Sequence, residues 1–258
     1  KQVGGAELNV AVGVALLGLR TGVISKLPSH DMGSFMKGKI RSYGVSDDFF
    51  MYDDSPSARV GIYYYENGAY PRKPKVIYDR ANSSFYSLKI DEIPEKAYTA
   101  SRCFHTSGIT LALSPKVRET TIEMIKRFKA AGTLVSFDVN FRGNLWTGEE
   151  AKECIEQILP YVDIFFCSED TARLTFKKTG TAREMMKSFT EEYPISIVAS
   201  TQRIVHSPKS HTFGSIIYDA RKDIYYEEEP YRDIDVVDRI GSGDAYISGA
   251  LYGLLTSN

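Results

Sequence analysis

The sequence predicts an α/β fold built on a mainly parallel sheet, with a small antiparallel lid set apart from it. Three observations lead there. Helix-period and strand-period segments alternate through most of the 258 residues, the pattern of helices packed on a parallel sheet. Between residues 58 and 80 the rhythm breaks, and two tyrosine-rich runs, 59–65 and 75–80, follow one another with turn residues Asn67, Gly68 and Pro71 between them. Near the end, Gly241-Ser242-Gly243-Asp244 leads into an apolar run through Leu251, a glycine loop opening a helix.

In chain order, small and apolar residues recur at helical spacing from Gly4 to Leu19, with Gly18 placed as a C-terminal cap. Residues 21–25 read as a short buried strand, and 32–43 as a second helix closed by Gly44. The tyrosines of the two lid strands either exclude water from a ligand or form the packed face of a strand pair, since tyrosine favours strands in any case. The αβ alternation resumes with a strand at 103–109, a helix near 116–131 and a strand at 133–140. In open α/β sheets ligands bind beyond the carboxyl ends of the strands, so Gly108, Asp138, Asn140 and Arg142 fall where a site belongs. Further strands are expected at 163–167, 195–199, 215–218 and 224–227, with residues 200–211 as a loop whose histidines, His206 and His211, are solvated.

Composition narrows the function. With 43% apolar and 25% charged residues, the chain is long enough for one large α/β domain. A formal net charge of −1 gives no footprint for nucleic acid or an anionic membrane surface, which leaves small molecules as the expected partners. Three widely spaced cysteines, Cys103, Cys154 and Cys167, suggest neither a disulfide framework nor a zinc site, and a reducing cytoplasm fits them. No run approaches the roughly 18 apolar residues of a membrane span.

The glycine loop carries the chemistry. Gly241 and Gly243 let backbone N–H groups approach an anion, and the helix that follows turns its positive dipole end to the same place. A carboxylate at Asp244 would repel a bound phosphate unless it takes the proton from the group attacking that phosphate. An ordinary turn whose aspartate caps a helix is the competing reading.

Two separated motifs then resemble the ribokinase-like carbohydrate kinases, also called the phosphofructokinase B family. Gly4-Gly5-Ala6-Glu7-Leu8-Asn9 with Leu17-Gly18 is similar to the first signature, and Asp238 with Gly241-Ser242-Gly243-Asp244 to the second. Within the family, the segments 107–110 and 138–146 are similar to the 2-keto-3-deoxygluconate kinase branch. The resemblance implies a ribokinase-like three-layer αβα sandwich with a mainly parallel central sheet and a small β lid. It implies a single kinase domain over 1–258, with the lid contributed mainly by about 58–80. The family's first strand would precede the sequence given, and its adenine-side elements would follow the helix ending near Leu255.

The same resemblance implies transfer of the γ-phosphate of ATP, with Mg²⁺, to the primary hydroxyl of a sugar acid. Asp244 would be the general base, with Gly241, Ser242 and Gly243 holding the phosphoryl group. Gly5, Asn9, Tyr63, Tyr78, Arg80, Ile109 and Arg142 would contact the sugar, and Ser168, Gly241 and Gly243 the nucleotide. Residue chemistry agrees, because a guanidinium fork is the natural partner of a sugar-acid carboxylate. Arg80 and Arg142 are the candidates, and each also fits a surface ion pair.

The sequence departs from the family at two places. Where many members carry Asn-x-x-Glu near Mg²⁺, the chain reads Ser168-Glu169-Asp170-Thr171, so the metal ligands are unknown, and these acids equally fit a helix N-terminus. Residues 200–211, where relatives often carry a basic residue and a glycine near the nucleotide, read as a loop instead of that motif, with Arg203 able to reach a phosphate or simply part of a surface loop. Another sugar kinase of the family, such as a fructokinase or ribokinase, and a catalytically silent sugar-binding regulatory protein remain as alternatives. The oligomeric state is open, a homo-oligomer included.

Overall fold

The structure, a computed structural model, describes residues 1–66, 68, 72, 75–207, 209–238 and 240–256. The expected lid turn at Asn67 and Pro71 lies outside the described residues. The chain divides into two compact units, residues 1–97 with 240–258, and residues 98–239.

The first unit begins with helix α1 (Ala6–Leu16), strand β1 (Thr21–Pro28), helix α2 (Asp31–Ser42) and strand β2 (Val45–Asp53). Strands β1 and β2 pair in parallel, as a strand, helix, strand connection demands. Leu8, Leu27, Ile40, Val45 and Phe50 form the core beneath α1 and α2. Strand β2 is one the sequence pattern does not single out. Its run Val45-Ser46-Asp47-Asp48-Phe49-Phe50 carries two adjacent acids, and it buries only Val45 and Phe50.

Strands β3 (Ile62–Glu66) and β4 (Lys75–Asp79) follow without a helix between them and pair antiparallel, with Tyr63 opposite Tyr78. This is the antiparallel excursion expected between residues 58 and 80. After short 3₁₀ turns, Lys26 of β1 is tied to Glu92 at 2.5 Å, with the lysine side chain 9% exposed.

The second unit holds β5 (Cys103–Ser107), α3 (Gly108–Ala112), α4 (Pro115–Ala130), β6 (Leu134–Asp138), α5 (Gly148–Glu156), β7 (Ile164–Phe166), α6 (Glu169–Leu174) and α7 (Ala182–Glu192). Strands β8 (Ile197–Ser207), β9 (Ser210–Asp219), β10 (Ile224–Glu227) and β11 (Tyr231–Asp235) complete it. β5, β6, β7 and β8 pair in parallel, while β9 runs antiparallel to β8, β10 and β11. Aromatic packing fills the core around this sheet: Phe104 stacks on Phe128 at 4.1 Å, and Phe165, Phe176 and Phe189 meet edge to face.

One expectation is corrected here. Residues 200–211 are not a loop, because β8 continues through Ser207 and β9 starts at Ser210. Pairing runs from Ile197 opposite Asp219 to Ser207 opposite Ser210, so the backbone groups find partners in the hairpin. His211 is buried, which overturns the expectation of a solvated side chain there, while His206 is exposed, with a ring nitrogen 2.8 Å from Thr212 Oγ1. Pro208 lies outside the described residues.

The first unit is completed by helix α8 (Ser242–Thr256), which packs along α1. Among the described residues no helix is long and apolar enough to cross a membrane.

Candidate active site

The two signature segments meet inside the first unit. Gly5 precedes α1 at φ 153° and ψ 144°, a conformation open to glycine and strained for other residues, and it aims the first turn of the helix. Gly241, at φ 73°, does the same before α8. Those first turns carry Asn9 and Asp244. The Asn9 amide nitrogen donates to Asp244 Oδ2 at 2.7 Å, across 235 residues of sequence. A Cβ on Gly241 would stand 3.7 Å from both the Asn9 nitrogen and the Asp244 oxygen, so the glycine turn wraps this pair. Ser242 and Gly243 open α8 and are exposed, which leaves their N–H groups at a helix start.

One turn further along, the helices touch through small residues. A Cβ on Gly13 would fall 2.3 Å from Ser248 Oγ and 2.6 Å from Ser248 Cβ, so only glycine allows this approach. The Ser248 hydroxyl lies 3.1 Å from the Val10 carbonyl oxygen and 2.7 Å from that of Asp244, and it can donate to either. Sequence reasoning missed Gly13 and Ser248. The available signal was their spacing, each four residues after a singled-out residue and hence on the same helix face.

The β3–β4 hairpin supplies the other candidates of this unit. A Cβ on Gly4 would meet the Tyr63 hydroxyl at 2.9 Å, so the phenol reaches the glycine pair that opens α1. Tyr63 and Tyr78 are cross-strand neighbours with ring centroids 6.2 Å apart, and both are about half exposed. The Arg80 guanidinium lies over the Tyr78 ring at 4.2 Å. Burial pushes the nearby Tyr86 phenol up, with the Arg80 charge opposing that shift.

In the second unit, Gly108 starts α3 where a Cβ would sit 2.1 Å from the Val139 carbonyl oxygen, a close backbone crossing only glycine allows. Ile109 follows it, half-buried. Asn140 holds a left-handed φ of 37°, and its N–H donates to Asp138 Oδ1 at 3.1 Å, which turns the chain sharply after β6. Trp146 is buried against Gly108. Arg142 is exposed, and its Nη1 donates to the Phe141 carbonyl at 3.0 Å. Among the described residues neither Arg80 nor Arg142 forms an ion pair.

Ser168 caps the short helix α6, its Oγ accepting from the Thr171 N–H at 3.3 Å. Glu169 is paired with Arg173 at 2.8 Å, and Asp170 is exposed. Among the described residues, no group of three His, Cys, Asp or Glu side chains comes together to hold a metal ion. Residues 168–171 therefore serve as a helix start and do not fit a protein-built Mg²⁺ cage. The thiols offer no nucleophile, because burial pushes Cys103 up to about 12 and Cys167 well above its ordinary value.

Comparison with known proteins agrees with the two signature segments. The family model described as pfkB family carbohydrate kinase matches residues 1–258. A 2-dehydro-3-deoxygalactonokinase from Haloferax volcanii is 34% identical over 251 residues, which cover 97% of this chain and 74% of the relative. The crystal structure of 2-dehydro-3-deoxygluconokinase from Thermotoga maritima superposes with a TM-score of 0.90 at 30% identity, covering 98% of this chain and 78% of that one. A pfkB family carbohydrate kinase structure from Listeria grayi gives 0.89 at 31% identity, covering 99% and 79%. The fold is thus ribokinase-like, a mixed α/β architecture with a mainly parallel central sheet and helices around it. The chain belongs to the pfkB family carbohydrate kinases, enzymes that transfer a phosphoryl group from ATP to a carbohydrate.

Proposed function

We propose that the protein phosphorylates the primary hydroxyl of 2-keto-3-deoxygluconate, the compound called 2-dehydro-3-deoxygluconate in the names of its relatives. The observation that carries the reaction is the Asp244 carboxylate held in the first turn of α8, directly behind the glycine turn at Gly241. In this reading Asp244 takes the proton of the sugar hydroxyl as its oxygen attacks the γ-phosphorus. The bond between that phosphorus and the β–γ bridging oxygen breaks, and ADP leaves. N–H groups from Gly241 to Gly243 receive the charge on the phosphoryl oxygens. Magnesium enters with the nucleotide as Mg-ATP, on the substrate side of the reaction.

The substrate class rests on charge. Arg80 stands on the lid beside Tyr78 without a carboxylate of its own among the described residues, and Arg142 is likewise unpaired. A guanidinium so placed is suited to a sugar acid and has little to offer a neutral sugar. Tyr63 and Tyr78 present hydroxyls from the same lid. They and Gly5 are proposed as sugar contacts, as is Ile109, while Ser168 is proposed on the nucleotide side. The chain is proposed to work as one kinase domain with β3 and β4 as its lid. A second reading, the galactonate epimer as substrate, is favoured by the name of the Haloferax volcanii relative.

The test is to supply Mg-ATP with a panel of neutral sugars and both epimeric keto-deoxy acids and to measure ADP release. Turnover confined to carboxylated sugars is expected, and no release with any of them would defeat the substrate assignment.

A further inference from the structure

We infer that Arg59 is a positioning residue for sugar-acid recognition, gripping the backbone on both sides of Arg80 and so setting where that second guanidinium points. The inference rests on the proposed reading of Arg80 as a contact for the sugar-acid carboxylate. Arg59 precedes β3 and Arg80 follows β4, so the two stand at the open end of the hairpin. Arg59 Nη2 donates to the Asp79 carbonyl at 3.1 Å and meets Asp79 Oδ2 at 2.8 Å, while Nη1 donates to the Ala81 carbonyl at 3.3 Å. The Arg80 carbonyl between them accepts from the Ser83 N–H at 3.3 Å. Three successive carbonyls around Arg80 are therefore held, two of them by one side chain.

The grip suits arginine. Its planar fork carries donors on separate nitrogens and can hold two carbonyls at once, whereas a lysine ammonium is a single point. The fork also stands on a fixed base. The Arg59 N–H donates to Ser84 Oγ at 3.2 Å, its carbonyl accepts from the Ser84 N–H at 2.8 Å, and Ser84 is only 3% exposed. A Cβ on Gly61 would stand 3.1 Å from Arg80 Cβ, so the incoming chain passes close against Arg80. The Arg80 side chain lies outside the clamp, over the Tyr78 ring at 4.2 Å. Asp79, the acid beside Arg80 in the chain, is engaged by Arg59, which leaves the Arg80 charge for a ligand. A guanidinium on a backbone already fixed gives up less freedom when it binds a carboxylate.

Arg59→Ala removes the grip, and Arg59→Lys keeps the charge beside Asp79 without the fork. Steady-state kinetics with the keto-deoxy sugar acid and Mg-ATP should show the sugar-acid KM raised about 10-fold in Arg59→Ala, with kcat and the ATP KM within about 3-fold of wild type. Arg59→Lys should rise about 3- to 10-fold, and it carries the test if the alanine variant melts too low to assay. A double-mutant cycle separates positioning from direct contact. In an Arg80→Ala background, adding either Arg59 substitution should change the sugar-acid KM by less than about 2-fold, because its effect runs through Arg80. An equal rise in both backgrounds would overturn the inference, since Arg59 would then act on the sugar or on the fold independently. A wild-type sugar-acid KM in Arg59→Ala would overturn it too, as would a fall in kcat with KM retained. If Arg80→Ala itself left the sugar-acid KM unchanged, the carboxylate reading of Arg80 would fail and take this inference with it. If Arg80→Ala raises KM while the Arg59 variants do not, only the positioning role is lost.

Discussion

Gly13→Ala probes how closely catalysis depends on the crossing of α1 and α8. The added methyl would lie 2.3 Å from Ser248 Oγ and 2.6 Å from Ser248 Cβ. Carbon atoms pack at about 3.5–4.0 Å, so the helices must part by about 1 Å at this point. Rotating the hydroxyl relieves the first contact and leaves the second, and Ser248 is only 2% exposed, with no space to retreat into. Overpacking of this kind costs about 1–3 kcal/mol, against which alanine's better helix propensity returns about 1 kcal/mol. The net destabilisation is about 0–2 kcal/mol, a fall in Tm of no more than about 8 °C for a chain of this size. Activity should suffer more, because Asp244 lies one turn from the contact and a displacement of about 1 Å can cost about 100-fold in rate. Thermal melts beside a coupled ADP assay give both numbers. Ser248→Gly removes both clashing atoms and should restore most of kcat in the double variant. Wild-type kcat in Gly13→Ala, or a double variant no better than the single, would refute the argument.

Other outcomes follow from the same geometry. Asp244→Asn should lower kcat by about 10²- to 10⁴-fold while sugar binding measured by calorimetry survives, and near-normal turnover would remove the general base from the scheme. Arg80→Ala and Arg142→Ala should each raise KM for carboxylated sugars selectively, and an equal loss on a neutral sugar would argue against a carboxylate contact. At the Lys26 to Glu92 pair, burial pushes the glutamate up, but hydrogen bonds from Lys26 and the Lys89 N–H outweigh it and leave the carboxyl below its ordinary value near 4.5. A depressed carboxyl stabilises the fold above its unfolded value and loses that contribution as pH falls through the folded one. Lys26→Met should therefore cost about 1–3 kcal/mol in urea unfolding at pH 7, with the gap to wild type closing below about pH 4. A gap that stays constant down to about pH 3 would count against the pair as its source.

The sequence by itself determined the elements whose cause is local. Helical spacing of small and apolar residues marked α1, α2 and α4, because a buried helix face must repeat every three to four residues. Adjacent tyrosine-rich runs marked β3 and β4, and the glycines at 241 and 243 marked the loop that opens α8, where Gly241 holds a left-handed φ of 73°. Asp244 stood out in the sequence as a carboxylate beside an anion-binding loop, a place that fits a general base or a helix cap. The outer half of β8 was not legible, since residues 203–206 are exposed and a strand without a buried face shows no alternation to read. Strand β2 was obscured by its acids, and it exists because β1 offers it a parallel edge. Only the tertiary structure decided that Asn9 meets Asp244 and that Gly13 lies against Ser248. These contacts join the two ends of the chain, and periodicity within a short window carries no information about which distant helix will lie alongside. The glycine loop announced a reaction, and the packing of α1 on α8 decides how its carboxylate is held.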